Sequence, residues 1–170
     1  AIGYNHVQRR AIEIGGAIGL EVARMIAMLT YRTAHELESR FGRERTLDRF
    51  RVQSYLDHQG DKLRRRFDAA AYVRLLDAMD SHDVGRGRGD AGEALRTFEG
   101  VLTGVGIPGD RLYPAEEVRA WTAAAGAHYE EIRSIHGHDA FLLETDQTAD
   151  ILARALDAAA RTETLSLAGS

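Results

Sequence analysis

VLTGVGIPGDRLYP, residues 101–114, decides the fold class. A short run rich in β-branched residues, 101–107, closes in Pro108-Gly109-Asp110, the way a buried strand ends in a turn. Pro114 with Glu116 and Glu117 then starts a helix, because proline is pre-set for the first helical turn and carboxylates favour its positive end. That helix is expected to run to about Ala125 and stop at Gly126. A second strand is expected at 129–135, followed by the loop His136-Gly137-His138-Asp139 and a last helix with Ile151, Leu152, Ala155, Leu156 and Ala159 on one face. Strand alternating with helix implies an α/β fold with a parallel sheet, whose active-site groups collect at the carboxyl ends of the strands.

Upstream the periodicity changes. Val22, Met25, Ile26 and Leu29 fall at i, i+3, i+4, i+7, and so do Tyr72, Leu75, Leu76 and Met79, which predicts two amphipathic helices. Val52, Tyr55, Leu56 and Leu63 suggest a third, with Gly60 as a weak spot, and Asp68 is placed to cap the helix containing Tyr72. No strand is expected before residue 95. Residues 81–92 hold four glycines and several charges and read as a linker. The boundary therefore falls between a helical region, 1–90, and an α/β region, 91–170.

Composition narrows the function classes. A chain of 170 residues that is 44% hydrophobic and 28% charged can bury a core, and the absence of Cys removes thiolate catalysis, zinc–thiolate sites and disulfide scaffolds. The same absence of Cys makes a reducing cytoplasm the simplest location, and no window approaches the ~18 apolar residues of a membrane span, so no membrane partner is expected. Of the 22 basic residues all but Lys62 are Arg; residues 1–89 carry net +4 and 90–170 net −8. A charge of +4 spread along helical patterns reads as a solvated face, and nucleic acid is not expected as a partner. Gly85-Arg86-Gly87-Arg88-Gly89 has no strand before it and no helix start expected after it, so it reads as a connection and not as a dinucleotide loop or an RNA-binding tract.

Asp110 and His138 follow successive strands and lie 28 residues apart, so they can meet at one rim of a parallel sheet. The carboxylate would hold one imidazole nitrogen and leave the other to act as a base. The order Asp then His matches the α/β-hydrolase order of Ser, Asp, His. The competing reading is an Asp capping a turn and a His hydrogen-bonded in a loop. His136, His138 and Asp139, with His128 nearby, superficially resemble a metal site, but no metal is expected.

At these residues the sequence resembles the homoserine O-acetyltransferase family of the α/β-hydrolase superfamily. The resemblance runs through NHVQRRAI from Asn5, ARMIAMLTYRT from Ala23, FGR from Phe41 and VQSYLDHQGDKLRRRFDAAAY from Val52. It continues in AMDSHDVGRGRG from Ala78, GDRLYP from Gly109 and HGHDAFLLE from His136. Each motif alone is weak; the ordered set is strong. It implies a partial α/β-hydrolase fold, a helical lid followed by the last strands and helices of the core. It also implies passage of an acetyl group from acetyl-CoA, a co-substrate, through an acyl-serine to the hydroxyl of homoserine, with no bound cofactor. The resemblance assigns Asp110 and His138 to the catalytic triad, Asp139 to the substrate amino group and Arg9, not the adjacent Arg10, to the substrate carboxylate. Family members pair through their lids, so a homodimer is implied, and the helix containing Met25, Ile26 and Met28 has apolar residues beyond one face.

Departures accompany the matches. None of Ser39, Ser54, Ser81, Ser134, Ser166 and Ser170 sits in a G-x-S-x-G elbow, so this sequence reads as the C-terminal half of an enzyme whose nucleophile and oxyanion hole lie upstream of Asn5. The segment 13–19 (EIGGAIG) is shorter than the family usually has. A serine or homoserine O-succinyltransferase, another hydrolase-fold esterase and a non-catalytic dimerising fragment are the alternatives.

Overall fold

A computed structural model describes residues 1–168, with side chains through residue 162. Ser170 and the side chain of Ser166 lie outside the described residues. The chain divides into two compact units, the first Ala1–His82 and the second beginning at Asp83.

The first unit contains α1 (Ile2–Tyr31), α2 (Ala34–Phe41), the two-residue strands β1 (Arg45–Thr46) and β2 (Arg49–Phe50), α3 (Arg51–Arg64) and α4 (Ala69–Ser81). Gly16 breaks α1 at φ 53°, ψ −124°, a conformation that favours glycine. The chain doubles back there: a Cβ on Gly19 would lie 2.0 Å from the Ala11 carbonyl oxygen. The short segment 13–19 is thus a tight reversal between two helical halves.

The buried stripe of α1 is Ile12, Leu20, Ala23, Ala27 and Met28, whereas Val22 and Leu29 are 42% and 40% exposed. This corrects the face expected from Val22, Met25, Ile26 and Leu29. The reason is close approach: Gly60 of α3 sits where a Cβ would come 2.9 Å from the Glu21 carbonyl oxygen and 3.2 Å from the Met25 methyl. A helix packed that closely is met by small residues such as Ala23, so size-ranked periodicity misplaces the stripe, and Gly60 is a contact point and not merely a weak spot. In α4, Asp68 accepts a hydrogen bond from the Ala71 N–H at 2.8 Å, the expected cap. Leu76 is buried, but Leu75 and Met79 are exposed, which narrows the face expected there. Tyr72 donates to Gln8 Oε1 at 2.5 Å, and burial pushes its hydroxyl up to about 12. The antiparallel pair of β1 and β2 corrects the expectation of no strand before residue 95; two residues per strand are too few to show alternation.

In the second unit, Asp90 and Glu93 form a reciprocal cap that starts α5 (Ala91–Arg96), so a helix does follow the 85–89 loop, contrary to expectation. Next come β3 (Thr103–Gly106), α6 (Ala115–Ala125) and β4 (His128–Glu131). A 3-10 turn, Gly137–Asp139, leads to α7 (Ala140–Leu143) and α8 (Thr145–Ala168). Strands β3 and β4 pair in parallel from Thr103↔His128 to Gly106↔Glu131. Helix α6 begins after Pro114 and ends at Gly126 with φ 69°, as the sequence predicts. It lies close on the sheet: a Cβ on Gly104 would fall 2.2 Å from Thr122 Cγ2.

Ile107, Ile132, Ala140 and Ile151 form the core of this unit, with Val105 against it. Ile132 is 1% exposed, a burial worth about 1.5–3 kcal/mol. Of the apolar face expected on the last helix, Ile151 is buried against Ile107, Ile132 and Ala140, while Leu152 and Leu156 are 58% and 69% exposed. No described helix is long and apolar enough to cross a membrane.

Candidate active site

The core just described sets the positions of two loops. After β3 the chain turns at Gly109, φ 84°, and the Asp110 N–H donates to the Ile107 carbonyl at 3.0 Å. Asp110 is 7% exposed. Its Oδ1 accepts from the backbone N–H groups of Leu112 (2.8 Å) and Tyr113 (3.1 Å). That leaves Oδ2 aimed at the Nδ1 of His138, 2.9 Å away. Asp110 thus caps its own turn with one carboxylate oxygen and meets the His138 ring with the other. His138 lies in the turn between β4 and α7, after buried Gly137, φ 64°, and two residues before fully buried Ala140.

Electrostatics keep this carboxylate charged. Burial pushes the Asp110 carboxyl up, but the hydrogen bonds from His138, Tyr113 and Leu112 outweigh it and hold the group below its ordinary value. A depressed folded value stabilises the fold at all pH above the unfolded carboxylate value of ~3.9 and is lost only as pH falls through the lower folded value. Two partly exposed rings approach the imidazole, Tyr113 at 5.6 Å and Phe141 at 5.8 Å between centroids.

Asp139 directly follows His138, half-buried at the start of α7. Arg9 belongs to the other unit, where its Nε donates to Asp77 Oδ1 at 2.9 Å and its Nη2 to Asp80 Oδ2 at 2.8 Å. Asn5 Nδ2 donates to the other oxygen of Asp80 at 2.7 Å. The hydrogen bond to Asp80 raises the Arg9 guanidinium further, and the bonds from Arg9 and then Asn5 hold Asp80 low. Arg9 is thus oriented by its neighbours, whereas Arg10 pairs with Glu13 at the surface. Sequence reasoning missed Asn5, Asp77, Asp80, Tyr113 and Phe141 as neighbours of the candidate residues. The i, i+4 spacing of Asn5 and Arg9 and the i, i+3 spacing of Asp77 and Asp80, which put each pair on one helix face, were the available signal. Among the described residues no group of three or more His, Asp or Glu comes together to hold a metal.

A parallel strand pair with an Asp and a His hydrogen-bonded in the loops that follow its strands, in a chain that also holds a helical unit, defines this chain as part of an α/β-hydrolase fold. A homoserine O-acetyltransferase from Staphylococcus aureus has a similar structure, with TM-score 0.74 and 36% identity over 91% of this chain and 46% of that one. The chain is 48% identical over 161 residues to homoserine O-acetyltransferase of Thermus thermophilus, covering 89% of this chain and 41% of that protein. It is 44% identical over 154 residues to that of Carboxydothermus hydrogenoformans, with 82% and 41% covered. No family model matches the chain. By these relationships the chain belongs to the homoserine O-acetyltransferase family, and it spans about two-fifths of the length of the curated relatives it matches.

Proposed function

We propose that the full-length protein is a homoserine O-acetyltransferase, of which residues 1–90 form the lid and 91–170 the C-terminal part of the core. The observation that carries this reading is the 2.9 Å Asp110–His138 hydrogen bond in a chain 48% identical to such an enzyme. In the proposed cycle, His138 takes the proton of a serine hydroxyl supplied by residues outside this sequence. The serine oxygen attacks the thioester carbonyl of acetyl-CoA, the C–S bond breaks, and CoA leaves with that proton. The same imidazole then takes the proton of the homoserine hydroxyl, whose oxygen attacks the acyl-serine, and serine departs protonated. Asp110 holds Nδ1–H throughout, so that proton exchange falls to Nε2.

Arg9 is proposed to bind the carboxylate of homoserine and Asp139 its ammonium. A guanidinium pre-oriented by Asp77 and Asp80 supports this for Arg9, since an ordered fork loses less freedom on binding. In the full-length protein, Arg9→Ala is expected to raise the KM for homoserine by roughly 10- to 100-fold, the worth of a hydrogen bond to a charged group. The burst of CoA release that reports acylation should stay nearly intact. A burst slowed as much as the transfer step would instead make the contacts with Asp77 and Asp80 the whole role of Arg9.

The function itself is tested by CoA release from acetyl-CoA with homoserine as acceptor, run beside succinyl-CoA and beside serine. Acetyl transfer to homoserine is the expected result; preference for succinyl-CoA, for serine or for plain ester hydrolysis would overturn it. The 170 residues alone, lacking an elbow serine, are expected to show no turnover. A cytoplasmic homodimer formed through the lid belongs to the same proposal, and the exposed Ile14, Ile18, Val22 and Leu29 are the apolar surface that supports it. Light scattering of the full-length protein at micromolar concentration is expected to give a dimer mass, and a strict monomer would count against it.

A further inference from the structure

We propose that Tyr113 and Phe141 are positioning residues that brace the His138 imidazole, an inference that rests on the acyl-transfer reading above. The bond to Cβ and the hydrogen bond at Nδ1 hold two points of the ring and leave it able to rock about the line through them. Two aromatic rings oppose the rocking. Tyr113 lies 5.6 Å from the imidazole at an interplanar angle of 42°, and Phe141 lies 5.8 Å away at 72°. Both separations fall within the favourable range for aromatic pairs.

Each brace is anchored in turn. The Tyr113 backbone N–H donates to Asp110 Oδ1 at 3.1 Å, so the backbone that carries the ring is tied to the carboxylate that meets Nδ1. The Phe141 carbonyl accepts from Thr148 Oγ1 at 3.0 Å, which ties that residue to α8. Ala140, between His138 and Phe141, is fully buried in the core. The imidazole is therefore met by three side chains, two from the loop after β3 and one from α7, whose flanking residues Ile107 and Ala140 share one core. Because one imidazole serves both half-reactions, loosening it should slow both alike while leaving substrate binding unchanged.

The test uses the full-length protein and two assays, homoserine acetylation and hydrolysis of p-nitrophenyl acetate, since both need the same imidazole whatever the acceptor. Tyr113→Leu and Phe141→Leu are each expected to lower kcat about tenfold in both assays, near the upper range for a lost aromatic pair, with KM unchanged. Tyr113→Phe keeps the ring and is expected to stay within about twofold of wild type. Thermal unfolding is followed in parallel. Leucine variants that keep their kcat would overturn the brace. So would a Tyr113→Phe variant as impaired as Tyr113→Leu, a rise in KM in place of a fall in kcat, or losses that follow Tm alone. A wild-type protein that hydrolyses the ester without acetylating homoserine would overturn the acyl-transfer reading instead, and the brace would be judged by the ester assay.

Discussion

In the full-length protein, His138→Ala is expected to abolish the burst of CoA release and the formation of O-acetylhomoserine together, with kcat reduced by about 10⁴-fold or more. The loss is shared because each half-reaction begins by removing a proton from a hydroxyl, and a hydroxyl is a weak nucleophile without a base in contact. His138 occupies a turn fixed by buried Gly137 and Ala140, and its Nδ1 is committed to Asp110. A His138→Ala variant that still acylates at near wild-type rate, measured by rapid mixing with acetyl-CoA, would remove the imidazole from the mechanism.

Asp110→Asn is expected to be nearly as severe, about 10⁴-fold in kcat, while leaving the backbone in place. The geometry gives the reason. Oδ1 accepts two N–H groups, from Leu112 and Tyr113, so the amide oxygen of an asparagine is required at that place. Its NH2 group then faces His138, where Oδ2 now sits 2.9 Å from Nδ1. A donor there obliges Nδ1 to present its lone pair and moves the ring proton to Nε2, the wrong tautomer for a base. The variant also gives up the stabilisation that the ionised carboxylate contributes above its depressed value. Steady-state rates within tenfold of wild type would show that tautomer control by Asp110 is unimportant.

These two expectations draw on different amounts of sequence information. Asp110 and His138 were legible because a strand ending in Pro-Gly-Asp and a loop after the next strand leave few places for either residue, and the ordered motifs sharpened their assignment. Helix α6 was legible to its ends, since Pro114 and Gly126 act through backbone geometry that needs no tertiary partner. The Asp68 cap was legible for the same reason. The ring contacts of His138 were not, because no local pattern of turn, cap or period marks Tyr113 or Phe141 as its neighbour and only the folded loops bring them there.

What the sequence by itself determined, then, is whatever local chemistry dictates: caps, turns, helical periods and the absence of an elbow serine; the second strand, expected at 129–135, ends at Glu131. Only the tertiary structure decided which face of each helix is buried. Val22 and Leu29 share a helical stripe by period, yet the stripe that is covered runs through Ala23 and Ala27, because Gly60 brings α3 against the backbone of α1. It also decided that Gly16 folds α1 back on itself and that Arg9 is held by Asp77 and Asp80, some seventy positions away. Periodicity reports which residues are apolar; burial depends on how near the neighbouring element can come, and that distance is set by residues remote in sequence.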